Sequence, residues 1–555
     1  MFKRNMKPLW VWMLVIFIGV LIHPASSSAH AYLTKSSPSD NEVMTQTPAK
    51  VTLQFNEALQ PAFHSIIVMD SSGAEVNQGN SRVPAGQPAV LEVDLKTGLP
   101  DGIYTVQWKA VSGDGHPVNG TFPFQIGTSS QGTASHIVYA GYTPGADLIL
   151  IRWVFYVSLA FLLGVLCFYL YLLPAGGGSR HPVLSPRSRK LLGISYAALI
   201  LGVLLSLPMQ TAIEAGVGWG EVWNAELLGK MLRITSFGHI WLVQVILVLL
   251  LGALLYAATQ STEQKGLRAL YAGTLLTGVG LLLSKAFIGH AASAESIWMP
   301  VFMDFLHLVS VSIWLGCLLA LGFILPREAS LPAEPDLRKK IYFAVIERFS
   351  LWGTTLVAAV LISGVYASLT YVPTWYSLLH TAYGRILLLK CVLLLVMLGF
   401  AAVHLVRGQR RSKPLGAGVW IEFAAGIAAL VLAAALSNLP PASSNPGPVN
   451  VQQTLDNRTV VTLQISPNIA GENTFEVGVK DASGKPVQGI QQIKLTLTSL
   501  DMDMGKYEIE IPGADKTYKA QDLISMAGRW NVHVHILTES LDAWDTDFQI
   551  TVGSS

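Results

Sequence analysis

Eight long apolar runs fill the middle of the chain, near residues 147–173, 191–212, 237–258, 268–288, 301–325, 344–369, 384–406 and 417–437. Each approaches the ~20 apolar residues that cross a bilayer as a helix. They predict an eight-helix transmembrane bundle over 147–437. On either side the pattern changes to short runs punctuated by Gly and Pro. Before the bundle these are Val51–Phe55, Ser65–Asp70, Ala89–Val93, Ile103–Ala110 and Thr121–Ile126. Short strands at regular spacing with turn clusters between them predict a small all-β Greek-key or sandwich domain over 30–127. After the bundle, Thr459–Ile465, Thr474–Val479, Ile493–Leu500, Tyr507–Ile511, Trp530–Ile536 and Phe548–Val552 predict a second all-β sandwich over 450–555. A Gly/Ser/Thr-rich linker (128–146) and a stiff proline linker (438–449) join the three parts. The expected fold class is therefore a multi-domain membrane protein.

The first residues form a fourth pattern. Lys3, Arg4 and Lys7 precede the apolar stretch Leu9–Ile22, and Ser27 and Ala29 supply the small residues of a cleavage site. Residues 1–29 read as a secretory signal peptide. The basic residues then set the topology. Arg180, Arg187, Arg189, Lys190, Lys265, Arg268, Arg327, Arg338, Lys339, Lys340, Arg407, Arg410, Arg411 and Lys413 fall in alternate loops, which are expected inside. The outer loops offer only Lys230 and Arg233. Both β-rich flanks are therefore expected outside the plasma membrane.

Composition sharpens this picture. Of the 555 residues 51% are hydrophobic and 13% charged, and the mean hydropathy is +0.46, which excludes a soluble protein. A net charge of +2 gives no reason to expect nucleic acid as a partner. Cys167, Cys317 and Cys391 all lie in expected spans, so neither flank has a disulfide framework. There is no Walker A motif, aspartyl-phosphate loop or intramembrane Cys-Pro pair. Transport would have to be passive, coupled to another gradient or driven by a partner.

The candidate chemistry begins at the cleavage site. Cleavage after Ala29 leaves His30 first, with an α-amine and an imidazole that can chelate a metal through two nitrogens. Asp114-Gly115-His116 adds a carboxylate and a second imidazole, and such N and O donors suit Cu(II). His64 is a weaker candidate for a fourth ligand. Within the bundle, polar or soft residues are functional candidates because burying them in lipid is costly. Met299, Met303 and His307 recur every four residues on one helix face, with His239 and His290 at similar outer depth. Met209 could add another thioether, and thioethers favour Cu(I). His404 lies at the inner end of the seventh span. Lys285 and Asp304 are expected to pair, and Lys390, Arg348 and Glu422 to be structural. Cys317 and Cys391 have no Cys-x-x-Cys partner. In the last module, alternation puts His533 and His535 on one strand face, and Met502 and Met504 also share a face if extended. These four are a candidate second copper site.

Three stretches carry family resemblances. Ala29-His30-Ala31, Ser37-Pro38-Ser39-Asp40, Leu53-Gln54-Phe55-Asn56-Glu57, Gly102-Ile103-Tyr104 and Trp108 through Pro117 resemble the CopC family of exported copper-binding domains. That resemblance implies Cu(II) held by the amine and imidazole of His30 with Asp114 and His116. Only Met44 and Met69 occur there, so a Met-rich Cu(I) loop is not expected. Phe287-Ile288-Gly289-His290-Ala291, His307, Ile313-Trp314-Leu315-Gly316, Arg348-Phe349-Ser350 and Tyr383 through Lys390 resemble the CopD family of copper-transport membrane proteins. Thr498 through Gly505 and Gly528 through His535 resemble YtkA-like domains. Together they resemble the fused copper-uptake proteins of Gram-positive bacteria, the YcnJ type.

The expected function is copper acquisition without catalysis, with the first module presenting Cu(II) to a His/Met-lined bundle, where Cu(I) could travel. An exported copper chaperone or reductase is the expected protein partner. Two alternatives stand beside it: extracellular sequestration for copper tolerance, and a haem-binding membrane oxidoreductase with histidines holding haem between helices.

Overall fold

The computed structural model describes residues 33–40, 42–112, 117–127, 145–174, 184–215, 217–261, 264–289, 298–328, 334–410, 414–455, 458–500, 506–511, 518–524 and 527–553. The expected signal peptide, His30, Asp114, His116, His290, Met502 and Met504 lie outside them. The chain divides into two compact units. One holds Tyr142–Tyr371 and Arg385–Leu439, and the other holds both β-rich modules with Val372–Gly384.

The first module has strands β1 (Leu33–Ser37), β2 (Val43–Met44), β3 (Lys50–Phe55), β4 (Ser65–Met69), β5 (Asn77–Arg82), β6 (Val90–Leu95), β7 (Gly102–Val111) and β8 (Pro117–Ile126). They form two four-stranded sheets, β1-β3-β6-β5 and β2-β8-β7-β4. Leu53, Phe55 and Leu91 from one sheet and Val68, Tyr104, Val106 and Phe124 from the other share one core, as the alternation predicts for inward faces. Trp108 packs edge-on to Phe55, ring centroids 5.2 Å apart. Gly120 lies opposite Trp108 in the β7–β8 ladder, and a Cβ there would sit 2.6 Å from the indole. Gly120→Ala is therefore expected to displace Trp108 and cost about 1–3 kcal/mol. A thermal unfolding transition unchanged from wild type would contradict this.

The last module contains β9 (Val449–Thr454), β10 (Val460–Ser466), β11 (Gly471–Lys480), β12 (Ile490–Ser499), β13 (Lys506–Ile511), β14 (Tyr518–Ile524), β15 (Gly528–Thr538) and β16 (Ala543–Val552). Its sheets are β14-β11-β10-β9 and β13-β12-β15-β16. Alternation along β10 is strict: Val461, Leu463 and Ile465 point inward to meet Val532, Val534 and Ile536 in one core.

Among the described residues, the helical unit contains eight helices long and apolar enough to cross a membrane. They are α1 (Ala146–Cys167), α2 (Pro186–Ala215), α4 (Ser236–Gln260), α5 (Gln264–Ala286), α6 (Trp298–Leu319), α7 (Pro335–Tyr371), α9 (Ala382–Arg410) and α10 (Gly418–Leu436). Two short helices between the spans were not anticipated: α3 (Ala225–Ile234), capped by Asn224, and α8 (Trp375–His380), which opens on a Thr374/Ser377 capping box. Thr374 also donates from Oγ1 to Pro446 O at 2.8 Å, which ties the proline linker to the α8 turn.

Helices α1 and α6 form the centre of the bundle. In their most apolar windows 61% and 67% of residues are buried, against 6% for α9. The α1–α6 crossing is made by glycines. A Cβ on Gly316 would lie 1.9 Å from Ala160 O, and one on Gly164 would lie 2.0 Å from the Gly316 carbonyl carbon. Small residues allow this backbone approach between membrane helices. Beyond the crossing both helices widen into π-helical turns, Phe168–Leu172 after α1 and Ala320–Ile324 after α6.

Candidate metal sites

The register of the first module brings two distant chain segments to one end of the sandwich. Leu33, which starts β1, lies opposite Phe55, the last residue of β3. The chain after β3 then crosses to the end of β7: Leu59 bridges Ser112, and Gln60 N donates to Val111 O at 2.8 Å. The position preceding β1 by three residues is His30, and the segment between β7 and β8 carries Asp114 and His116. His64 is at this same end, beside Ser65, which pairs with Lys109. Its Nδ1 lies 3.0 Å from Ser81 Oγ, and burial holds its imidazole below the usual range. It is therefore neutral at pH 7.

In the bundle the candidate donors separate into different surroundings. His307 is on α6 with Nδ1 3.0 Å from Ser363 Oγ on α7. Ser363 gives its own proton to Ala359 O at 2.6 Å. With that proton committed, His307 Nδ1 is the donor to Ser363 Oγ, the tautomer in which Nε2 is the acceptor nitrogen. Met303, one turn earlier, is 2% exposed and packs against Ile362 and Tyr366. Met299 is 41% exposed. His239 is exposed at the start of α4, with Nε2 3.2 Å from Arg233 O. Met209 packs against Leu148 and Ile151. Lys285 and Asp304 interact electrostatically between α5 and α6, as expected, and Asp304 also interacts with Lys390 on α9. Lys285 Nζ lies 5.9 Å from the centre of the Phe155 ring.

One buried polar group joins residues that the sequence reading kept apart. His404 Nδ1 on α9 lies 2.9 Å from Glu422 Oε2 on α10. Trp314 Nε1 on α6 donates to Glu422 Oε1 at 3.2 Å. His404 Nε2 is buried and has no hydrogen-bond partner among the described residues, and Gly418 leaves the space beside it that a Cβ would enter at 2.9 Å. No local signal links positions 314, 404 and 422, because three helices must pack before they meet.

In the last module His533 and His535 project from the same face of β15, as expected. Both are held by carboxylates on β16. His533 Nδ1 lies 3.1 Å from Asp547 and Nε2 3.2 Å from Asp545, while His535 Nδ1 lies 2.7 Å from Asp545. The Asn531 amide, and then the His533 ring, hold the Asp547 carboxyl below its usual range. A metal at His533 would have to displace these bonds. Among the described residues, no three His, Cys, Asp or Glu side chains are arranged to hold a metal ion.

Comparison along the whole chain decides the family. Copper transport protein CutJ of Bacillus subtilis (strain 168) is 36% identical over 546 residues, 97% of each chain. The chain belongs to this family of copper transport proteins. It is a multi-pass membrane protein, and four family models match it in order along the chain. A CopC domain matches residues 33–127 and a copper resistance protein D-like N-terminal domain matches 145–299. Copper resistance protein D matches 343–436 and a YtkA-like domain matches 453–535. The inner membrane protein YebZ of Escherichia coli (strain K12) is 30% identical over 254 residues, 43% of this chain and 81% of YebZ. The crystal structure of CopC from Methylosinus trichosporium OB3b is 33% identical over 18% of this chain and 93% of that chain, with a TM-score of 0.17. Copper resistance protein C of Xanthomonas campestris pv. juglandis is 29% identical over 20% of this chain and 91% of that protein. CutJ and this protein carry copper transport and resistance names, which places the chain among proteins that handle copper.

Proposed function

We propose that this protein imports copper across the plasma membrane. The first module faces outward and binds Cu(II) through the amine and imidazole of His30 with Asp114 and His116. It delivers the ion to outer donors of the bundle: His239, His290, His307, Met299 and Met303. One electron from an exported reductase converts Cu(II) to Cu(I) before the ion descends.

The observation that carries this reading is the end-to-end match to a copper transport protein. The register supports it further, since the start of β1 and the end of β7 lie at one end of the sandwich. His307, held by Ser363 through Nδ1, supplies an imidazole inside the bundle. The basic residues of alternate loops support an outward-facing first module.

Cell-associated copper, measured under copper limitation in a deletion strain and its complemented parent, tests the direction. Import predicts a several-fold fall on deletion. Unchanged or raised intracellular copper would instead indicate sequestration and overturn the proposal. A purified protein with no visible absorbance band removes the haem alternative.

A further inference from the structure

The crossing of α1 and α6 places two thiols together that lie 150 positions apart in the chain. Gly164 and Gly316 bring the two backbones into contact. Cys317 follows Gly316 directly, and Cys167 is three residues, about one turn, beyond Gly164. Both thiols are buried and free. They line one cavity of about 10 Å³, enough for a single water-sized particle. Tyr171 and Trp352, ring centroids 5.5 Å apart, form one wall of it. Cys317 Sγ also lies 3.9 Å from Gly164 O, so its position is set by the crossing itself.

Each thiol stands beside a π-helical turn. Cys167 immediately precedes Phe168–Leu172, and Cys317 lies three residues before Ala320–Ile324. Single π turns are rare and concentrate at functional sites, because the extra residue widens the helix and redirects side chains. The first of these two turns also lines the cavity, through Tyr171 and Leu172.

We propose that Cys167 and Cys317 form a two-coordinate Cu(I) site inside the bundle. This deepens the copper-import reading and rests on it. Sulfur donors are soft and select Cu(I) over harder divalent ions. Cu(I) enters with one positive charge, one thiol releases its proton to water, and the second coordinates as a neutral thiol. The resulting complex carries no net charge, which is the form an apolar cavity tolerates best. No electron is transferred in this step. On α6, His307 lies about 14 Å from the helix start and Cys317 about 29 Å, at 1.5 Å per residue. The thiols are therefore the next donors beyond His307, on the side of the basic loops.

The test uses full-length protein in detergent, loaded anaerobically with Cu(I) and washed with a Cu(I) chelator. Wild type is expected to keep one more copper per chain than Cys167→Ala/Cys317→Ala. It should also show copper–sulfur scattering at the copper absorption edge and a near-ultraviolet thiolate-to-copper band that the double variant lacks. Each single variant should lose at least tenfold in Cu(I) affinity, and Cys391→Ala should lose none. Equal copper content in wild type and double variant overturns the site. So does wild-type copper without the thiolate band, a result that needs no variant to fold. Copper uptake by cells, read in parallel, separates the two proposals. Uptake that persists when wild type shows no thiolate-bound copper removes the thiol site and leaves import standing.

Discussion

Gly316→Val is expected to prevent the membrane domain from accumulating in folded form. The new Cβ would meet Ala160 O at 1.9 Å and Gly164 Cα at 2.7 Å. Both are backbone atoms of α1, so no side chain can swing aside to relieve the clash. The helices must separate at the centre of the bundle, where Leu159, Leu163, Leu315 and Leu318 are almost wholly buried. Separation forfeits close packing along the whole interface, because dispersion falls off within a fraction of an ångström. Overpacking a tight core costs about 1–3 kcal/mol and sometimes more, against a total stability of about 5–15 kcal/mol. We expect a loss at or above the top of the overpacking range, read as an aggregated size-exclusion profile or a large fall in Tm. Gly399→Ala is the control, since a Cβ there meets nothing within 4 Å. A Gly316→Val protein that unfolds at the wild-type temperature would remove the crossing from its central place.

The second large effect belongs to His30. If its amine and imidazole chelate Cu(II), retaining even one residue before it should destroy the chelate while leaving the imidazole in the chain. His30→Ala should weaken Cu(II) binding about 100-fold, which corresponds to about 2.7 kcal/mol. The same chemistry fixes the sign of the pH dependence. An α-amine with a free pKa of ~7.7–8.0 must lose its proton to bind metal, so affinity falls as pH drops below that value. The expected slope is about tenfold per pH unit from the amine, steepening below ~6.5 as the imidazoles protonate. Competition titrations against a chelator across a pH range of about 6–8 measure it. Affinity that is flat with pH, or changed less than about twofold in His30→Ala, is incompatible with the proposed ligand set.

The strands that alternation overlooks share one physical feature, although the edge strands β4, β13 and β16 were anticipated. β1, β2, β5, β9 and β14 were not anticipated, and every one is at the edge of its sheet. β5 shows why. Asn77–Arg82 has no apolar run, and it is held to β6 partly by Arg82, which pairs with Asp94 at 2.7 Å and Glu92 at 2.8 Å. Central strands such as β10 and β15 must fill a core with every second residue, so their pattern is written in the chain. An edge strand can be held by its ladder and a few polar contacts.

Residue order alone determined the eight spans, the two β modules and the family resemblance. These depend on local sums of hydropathy, on alternation within a few residues and on short contiguous motifs. The same order also marked His307 as a donor, because a histidine in an apolar run is conspicuous wherever it packs. Only the tertiary structure decided which donors meet. Helices of similar hydropathy can rotate about their axes without changing the one-dimensional pattern. The Gly164–Gly316 contact fixes that rotation for α1 and α6 and so unites Cys167 with Cys317. Likewise His404, Glu422 and Trp314 come from three helices, and what joins them is close packing rather than any spacing along the chain.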